Sequence, residues 1–318
     1  MLISAGIHNT DLAKRISELT HIRLIQSHTS RFADQELNVE VEEIQGNKNK
    51  HIILLHSITS PAHDSLLELL LLIDALKRAL SPNKITLIIP YCCYTRQDRI
   101  MYRISGNSNM VSALSAKVIA NVLQTTNANN ITFIDLHSNQ LIGFFDTDIT
   151  NLSANSIFID AIIQKCTTDN LVIVSPDYGA LNRTRAFAHT LAQQYNLNNE
   201  IQIAIIDKHR TKPGVSEVMN IIGNVANKEC IIVDDIVDSG GTLCNAALAL
   251  KNNGALQVSA YITHGVLSGN ALDKIANSQL TTLTITDTIN HCFINTQKVK
   301  VLSIDKFISN YILYTLSN

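Results

Sequence analysis

The sequence predicts an α/β protein made of two tandem, similar domains, each with a mainly parallel sheet flanked by helices. Short apolar runs rich in β-branched residues alternate with longer helical stretches, which is the pattern of parallel sheets covered on both faces. The order of these elements is repeated once along the chain. A polar segment rich in Asn, Ser and Thr, from Thr150 to Asn155, separates the two copies.

Each copy of the repeat consists of a strand, a loop, a helix and a second strand. In the first half these have the sequences HIILLHS, ITSPAHDS, LLELLLLIDALKRA and ITLIIPY. In the second half they are ECIIVDD, IVDSGGT, LCNAALALKNNG and QVSAYITHG, and only this copy has adjacent aspartates and a pair of glycines. We therefore expect an N-terminal domain of residues 1–150 and a C-terminal domain of residues 151–318. The last helix is a candidate for packing back on the first domain.

Composition and charge give no indication of a nucleic-acid or membrane-surface partner. The 318 residues are 46% hydrophobic and 16% charged, with a net charge of −2 and no basic block. The stretch from Leu66 to Leu76 is apolar, but Glu68 and Asp74 interrupt it and it is too short to span a bilayer. The N-terminus lacks the pattern of a signal peptide, and the six cysteines show no zinc spacing. We expect a reduced, cytoplasmic protein.

The segment from Cys230 to Leu243, CIIVDDIVDSGGTL, is the most informative stretch of the chain. A buried strand ends at Asp234 and Asp235, and a turn with two glycines leads into a helix. Glycines let a backbone approach an anion, and the N–H groups at a helix start bind it. The two acids suit ribose hydroxyls or a bound Mg²⁺. The segment is neither a Walker A loop nor a GxGxxG turn, and DSGGT alone also fits an ordinary turn capped by Asp and Ser.

Polar residues follow several other predicted strands directly, namely Tyr91 with the segment Arg96–Arg99, then His137, Asp177 and Lys208. Ligands of open α/β sheets bind at the carboxyl ends of the strands. We therefore expect these side chains to converge on a ligand together with the glycine turn. Taken one by one, they also fit less specific roles. The arginines fit a charged surface turn, and a lone histidine after a strand is more often a hydrogen-bonded structural residue.

Six motifs, in this order, resemble those of the ribose-phosphate diphosphokinase (phosphoribosyl-diphosphate synthetase) family, which has the type I phosphoribosyltransferase fold. They are RFADQELNVEV, PYCCYTRQDR, DLHSNQLIGFFD, VSPDYGALNRTRA, IDKHRTKPGVSEVMNIIG and VDDIVDSGGTL. The resemblance runs from about Arg31 to about Asn270. Several motifs in order are far more specific than any one of them.

The resemblance implies a role for each matching residue. Ribose 5-phosphate would be bound by Asp234, Asp235, Asp238, Ser239, Gly240, Gly241 and Thr242. ATP would be bound by Asp34, Gln35, Glu36, Arg96 and Gln97, the first three reaching it from a neighbouring subunit of a dimer-based homo-oligomer, up to a hexamer. Mg²⁺ would be bound by His137 and Asp177, and Lys208 and Arg210 would be the catalytic residues of a closing loop.

The implied reaction is transfer of the diphosphoryl group of ATP to the C1 hydroxyl of ribose 5-phosphate, which yields AMP and 5-phosphoribosyl 1-diphosphate. Two other functions stay open. A non-catalytic regulatory homologue of the synthetase would be favoured by loss of catalytic-loop or metal residues, which are retained here. A phosphoribosyltransferase would share VDD and SGGT, but it would not explain RQDR, DLH or the duplicated domain. The role of Arg183 and Arg185 is left open.

Two positions and one segment depart from the usual pattern of the family. Gln35 replaces a residue that is usually glycine, so its side chain is expected to reshape the adenine pocket. The segment after Arg99, IMYRISGNSNMVSALSAK, is several residues longer than usual and lacks basic character. Gln45 stands where many members have an arginine linked to regulatory phosphate or nucleoside-diphosphate binding. We therefore expect altered allosteric control.

Overall fold

The structure is a computed structural model that describes residues 1–44, 46, 48–105, 108–164, 170–195, 201–209, 218–291, 294 and 296–317. The chain forms two compact units. Unit 1 comprises residues 1–153, 288–290 and 304–318, and unit 2 comprises residues 154–287 and 291–303. We keep the division into domains 1–150 and 151–318 as a prediction of the domain organisation.

Unit 1 contains a five-stranded sheet in the order β1-β4-β5-β8-β9, in which every neighbouring pair is parallel. Its strands are β1 (Leu2–Ala5), β4 (His51–Leu55), β5 (Lys84–Ile89), β8 (Asn130–Ile134) and β9 (Asp148–Leu152). The interiors of β1, β4, β5 and β8 are almost entirely buried, because helices cover both faces of a parallel sheet. These helices are α1 (Thr10–Thr20), α2 (Ala62–Leu80), α3 (Ser115–Gln124) and α8 (Asp305–Ser317).

Two antiparallel hairpins also belong to unit 1. The first pairs β2 (Ser27–Arg31) with β3 (Leu37–Val41), and the second pairs β6 (Tyr102–Ser105) with β7 (Ser108–Val111). The second hairpin is formed by the long segment after Arg99. It exposes large apolar side chains, with Tyr102 and Ile104 more than three-quarters exposed. Short 3₁₀ helices lie at Ile7–Asn9 and Asn139–Phe144.

Unit 2 contains a seven-stranded sheet in the order β12-β11-β10-β13-β14-β15-β16. The strands are β10 (Leu171–Ser175), β11 (Gln202–His209), β12 (Val218–Ile222), β13 (Glu229–Val237), β14 (Gln257–Gly265), β15 (Thr282–Thr286) and β16 (Val299–Leu302). Only the pair β11–β12 is antiparallel. The helices are α4 (Asn155–Ile163), α5 (Leu181–Gln194), α6 (Gly241–Asn252) and α7 (Ala271–Ala276). The predicted α/β class with mainly parallel sheets is confirmed.

Helix α2 shows how an apolar helix accommodates charge. Its sequence AHDSLLELLLLIDALKRAL buries Leu69, Leu72 and Leu76 against the sheet. Glu68 is buried as well, and its Oε1 accepts hydrogen bonds from the backbone N–H of Ile7 and the hydroxyl of Thr29. Within the described part of the chain, every helix is too short or too polar to span a bilayer.

Candidate active site

The glycine turn of unit 2 joins the central strand β13 to α6, and its backbone conformation requires glycine. Gly240 has φ +74°, in the left-handed region that L side chains rarely adopt. Space is not the constraint, since a Cβ atom there would lie 3.5 Å from Ile275 Cγ1. The helix starts at Gly241, two residues before the predicted LCNAALALKNNG, and it ends just before Asn253 and Gly254.

The start of α6 has a glycine at its N-cap. Gly240 has no side chain that could cap the helix. The N–H groups of the first turn of an α-helix have no acceptor within the helix, and they carry the positive end of the helix dipole. Ser239 and Thr242 are exposed and add hydroxyl groups to the same turn. The turn therefore has the donors that a phosphate group needs.

The segment between β14 and α7 holds this turn in place. The backbone N–H groups of Val266 and Leu267 donate to the carbonyl oxygen of Val237, at 2.9 and 3.2 Å. The Ser268 hydroxyl donates to the Asp238 carboxylate, and Lys274 Nζ donates to the Ser239 carbonyl at 3.3 Å. The loop is thus fixed from one side before any ligand binds, which lowers the entropic cost of binding.

The two acids share one guanidinium and lie within β13, which continues to Val237 instead of ending at the acids as predicted. Arg183 Nη1 on α5 lies 3.3 Å from Asp234 Oδ1 and 2.5 Å from Asp235 Oδ1. The side chain of Asp234 is 25% exposed, whereas that of Asp235 is 5% exposed. Burial, and next the neighbouring Asp235 carboxylate, raise the pKa of Asp234 to about 8, against the opposing effect of Arg183. The sequence left the role of Arg183 open, and the structure gives it this contact.

Asp177 follows β10 and is half-buried. Its Oδ1 accepts a hydrogen bond from the backbone N–H of Ala180, directly before α5, at 3.0 Å. Its backbone carbonyl accepts a hydrogen bond from the Ser175 hydroxyl at 2.7 Å. The carboxylate is therefore oriented by the turn that carries it.

One of the two predicted catalytic residues, Lys208, belongs to β11. The backbone of Lys208 is paired with Met219 in the antiparallel ladder to β12. The side chain of Lys208, and Arg210 with the rest of segment 210–217, lie outside the described residues. Gln45 also lies outside them.

In unit 1, Asp34, Gln35 and Glu36 form the exposed tip of the β2–β3 hairpin. Gln35 has φ +74°, so a non-glycine residue adopts the left-handed conformation here. The tip is closed by a hydrogen bond from the Phe32 N–H to the Glu36 carbonyl at 3.0 Å. Arg31 Nη1 donates to the Gln35 carbonyl at 2.8 Å. Phe32, which the sequence reasoning did not single out, is 55% exposed beside these residues, and exposed aromatics beside polar groups are a signal for ligand stacking.

Arg96 and Gln97 lie in the exposed turn after β5. Gln97 Oε1 accepts a hydrogen bond from the Ser115 hydroxyl at 2.6 Å, at the start of α3. Tyr94, with φ +68°, places its hydroxyl 2.9 Å from His63 Nδ1 in the first turn of α2. The turn is thus held by two helices of unit 1.

His137 follows β8 and is half-buried, two residues after Asp135, which has φ +43°. In the described ranges, no three His, Cys, Asp or Glu side chains are arranged to hold a metal ion. Mg²⁺ usually keeps several waters and binds through one or two protein ligands together with substrate phosphates. A metal that binds in this way needs no such cluster of protein ligands.

The first copy of the repeat has a different loop chemistry. His56 and Ser57 follow β4, whereas Asp234 and Asp235 in the second copy lie within β13. The Ser57 N–H donates to the Asn9 side chain, and His56 Nε2 lies 2.8 Å from the Ser65 carbonyl. These residues are buried and hydrogen-bonded to other residues of unit 1, although His56 Nδ1 has no hydrogen-bond partner among the described residues, so this loop supports the fold of unit 1.

Comparisons with known proteins show the family to which the chain belongs. Residues 1–126 match the model of the N-terminal domain of ribose phosphate pyrophosphokinase, and residues 196–316 match that of the phosphoribosyl synthetase-associated domain. A ribose-phosphate pyrophosphokinase of Brucella melitensis biotype 1 is 42% identical over 317 residues, which cover 99% of this chain and 96% of the relative. The chain belongs to the ribose-phosphate pyrophosphokinase family. The resemblance predicted from the motifs is confirmed.

Further members of the ribose-phosphate pyrophosphokinase family agree. The one from Agrobacterium fabrum is 43% identical over 289 residues, which cover 91% of this chain and 87% of the relative. The crystal structure of phosphoribosylpyrophosphate synthetase from Mycobacterium smegmatis superposes with a TM-score of 0.86 at 29% identity, over 100% of this chain and 99% of that one. The similarity therefore extends over both units and is not limited to the glycine turn.

Proposed function

We propose that this protein is a ribose-phosphate pyrophosphokinase that transfers the diphosphoryl group of ATP to the C1 hydroxyl of ribose 5-phosphate. The products are AMP and 5-phosphoribosyl 1-diphosphate, a precursor for nucleotide biosynthesis. The observation that carries the proposal is the glycine-capped start of α6 at Gly240, next to a strand that carries two carboxylates. One loop thereby offers N–H donors for a phosphate and acceptors for sugar hydroxyls.

We assign the two substrates to the two domains. Ribose 5-phosphate binds in the C-terminal domain, residues 151–318, with its phosphate on the turn and its hydroxyls on the acid pair. The residues are Asp234, Asp235, Asp238, Ser239, Gly240, Gly241 and Thr242. ATP binds in the N-terminal domain, residues 1–150, through Asp34, Gln35, Glu36, Arg96 and Gln97. The exposed tip of the β2–β3 hairpin supports this assignment, because an exposed loop can reach a nucleotide held by a second copy of the chain.

The chemistry is an in-line displacement at the β-phosphorus of ATP. The C1 hydroxyl oxygen forms a bond to this phosphorus, and the bond to the oxygen that bridges the α- and β-phosphates breaks. AMP leaves with that oxygen, and the hydroxyl proton is lost to solvent. The protein's part is to align the two substrates and to offset charge on the transferred group. We assign the second task to Lys208 and Arg210, whose cationic side chains are suited to it.

We propose Mg²⁺ as the metal, with His137 and Asp177 as the residues that hold it. Bound to the phosphate oxygens, Mg²⁺ would neutralise part of their charge. Asp177 is already oriented through the N–H of Ala180. We further propose that the protein acts in the cytoplasm as a dimer-based homo-oligomer, with a hexamer as the largest expected assembly.

The test is an incubation of the purified protein with ATP, ribose 5-phosphate and Mg²⁺, followed by phosphorus NMR. We expect equal amounts of AMP and 5-phosphoribosyl 1-diphosphate to appear, and we expect Lys208→Ala to abolish both. Lys306→Ala, which removes an exposed lysine on α8, is the matched control and should leave turnover unchanged. Intact ATP under all conditions would contradict the proposal and would favour a non-catalytic regulatory homologue. Repeating the reaction with and without inorganic phosphate tests the expected change in allosteric control.

A further inference from the structure

Arg183 is placed to act on both acids of β13 at once. It lies in the first turn of α5, and its Nη1 donates to Asp234 Oδ1 and to Asp235 Oδ1. The same Asp234 oxygen also accepts the backbone N–H of Asp235 at 2.9 Å. Consecutive side chains of a strand tend to point to opposite faces, so one group that contacts both constrains their relative orientation. Arg183 therefore fixes the relative orientation of the two carboxylates.

This contact is not required to anchor α5. The helix already packs on the sheet through Phe187 and Leu191, both fully buried, and through Ala188. Burying a charged group in place of an apolar one is often neutral or unfavourable for stability, because the ions lose their hydration. The side chain of Arg183 is only 22% exposed, so its guanidinium loses hydration on folding. A role at the ligand site accounts for its position better than a role in packing.

Arg183 supplies the positive charge that balances the negative charge of Asp234 and Asp235. Burial, and next the Asp235 carboxylate, raise the pKa of Asp234, which favours its protonated form. One negative charge then remains, and the guanidinium neutralises it. Without Arg183 that charge would lie beside Asp235, which is almost fully buried, and the pair would rearrange or take up a second proton. Either change alters the acceptors that face the turn.

We infer that Arg183 is a positioning residue for ribose 5-phosphate, which holds Asp234 and Asp235 in the orientation that binds the sugar hydroxyls. This inference rests on the proposed function of the same site. Arg183 acts through the acids, so its effect falls on the sugar phosphate. Because the proposed ATP residues all lie in unit 1, binding of ATP should not depend on it.

The experiment compares Arg183→Ala, Arg183→Lys and Arg185→Ala with the wild type. KM is measured for each substrate, and ribose 5-phosphate binding is measured by calorimetry. We expect Arg183→Ala to raise KM for ribose 5-phosphate by about tenfold or more, which corresponds to loss of a charge-assisted hydrogen bond, with KM for ATP unchanged. Arg183→Lys keeps the positive charge but lacks the planar guanidinium group. Compared with Arg183→Ala, it should recover part of the affinity for ribose 5-phosphate. Arg185→Ala removes an exposed arginine two residues away and should match the wild type.

A folding defect would be recognised by circular dichroism. In that case Arg183→Ala with Asp235→Asn removes both the cation and the buried charge, and this double variant should fold and still bind ribose 5-phosphate weakly. An unchanged KM for ribose 5-phosphate, or an equal rise for both substrates, would overturn the inference. A wild type that binds ribose 5-phosphate but forms no product would overturn the proposed function alone. A wild type without affinity for ribose 5-phosphate would overturn both.

Discussion

The guanidinium of Arg31 lies against the carboxylate of Asp64, with Nη2 2.5 Å from Oδ2. Arg31 is the last residue of β2, at the base of the hairpin tip. Asp64 belongs to the first turn of α2. Since the same guanidinium also donates to the Gln35 carbonyl, the ion pair connects the hairpin tip to the body of unit 1. The proposed ATP-binding tip is therefore held from within its own unit.

Asp64→Ala should raise KM for ATP several-fold and leave KM for ribose 5-phosphate unchanged. The pair is partly exposed, so its loss should lower the free energy of unfolding by less than about 1 kcal/mol. The tip would, however, lose one of the contacts that fix its orientation. Asp74→Ala is the matched control, because it breaks another Asp–Arg pair on the same helix, to Arg78, away from the hairpin. Equal KM values for ATP in the two variants would refute the link between Asp64 and the nucleotide.

Gly240→Ala should impair binding of ribose 5-phosphate because an alanine at φ +74° is strained by about 1 kcal/mol or more. The strain would be relieved by a shift of the turn that carries the proposed phosphate donors. Gly254→Ala is the control, since Gly254 has φ +87° at the other end of α6 and meets Ala226 only at 3.5 Å. Both variants should lose similar stability in urea unfolding, and only Gly240→Ala should raise KM for ribose 5-phosphate. A rise in KM for ribose 5-phosphate in both variants would mean that the effect comes from general destabilisation of the protein.

The sequence was sufficient to predict the glycine turn because all its determinants are local. A buried strand, two acids, two glycines and a helix occur within Cys230 to Leu243, and each has a direct physical meaning there. The parallel sheets were predictable for a similar reason, since apolar runs of β-branched residues alternate with helices along the chain.

Arg183 could not be assigned in the same way. It lies 51 residues before Asp234 in the chain, and only the packing of α5 decides which of its arginines faces β13. The long segment after Arg99 was recognised as unusual, but its pairing as β6 with β7 depends on a register that the sequence leaves weakly specified. The left-handed conformation of Gln35 likewise depends on the closure of its hairpin by Phe32 and Glu36.

Ile308→Ala should lower the free energy of unfolding by about 2–5 kcal/mol, the usual range for a fully buried isoleucine. Ile308 lies on α8, which is part of unit 1. The helix is fixed at one end by an ion pair from Arg15 to Asp305 at 3.0 Å, and further along by the hydroxyls of Thr132 and Tyr311 at 3.0 Å. Leu313→Ala, at a 41% exposed position of the same helix, should cost much less. Urea unfolding of both variants measures the difference, and equal losses would contradict the packing of α8.

The acid pair should make the stability of the protein fall as the pH rises from about 4 to 8. In the folded state the pKa of Asp234 is about 8, because of burial and then Asp235, whereas an unfolded aspartate titrates near pH 4, at a pKa of about 3.9. Between these values the folded state holds a proton that the unfolded state releases. Each unit of pH then lowers the free energy of unfolding by at most about 1.4 kcal/mol, and by less here because Asp234 is partly exposed.

Asp234→Asn removes this titration and should flatten the pH dependence of urea unfolding between pH 5 and pH 8. Asp273→Asn, which removes an exposed carboxylate on α7, is the control and should retain the slope of the wild type. Asp235→Asn should flatten the curve only in part, because it removes the charged neighbour but not the burial, which is the larger cause of the raised pKa of Asp234. A slope that survives both substitutions would show that the acid pair is not its source, and that the carboxylates are both ionised in the folded protein.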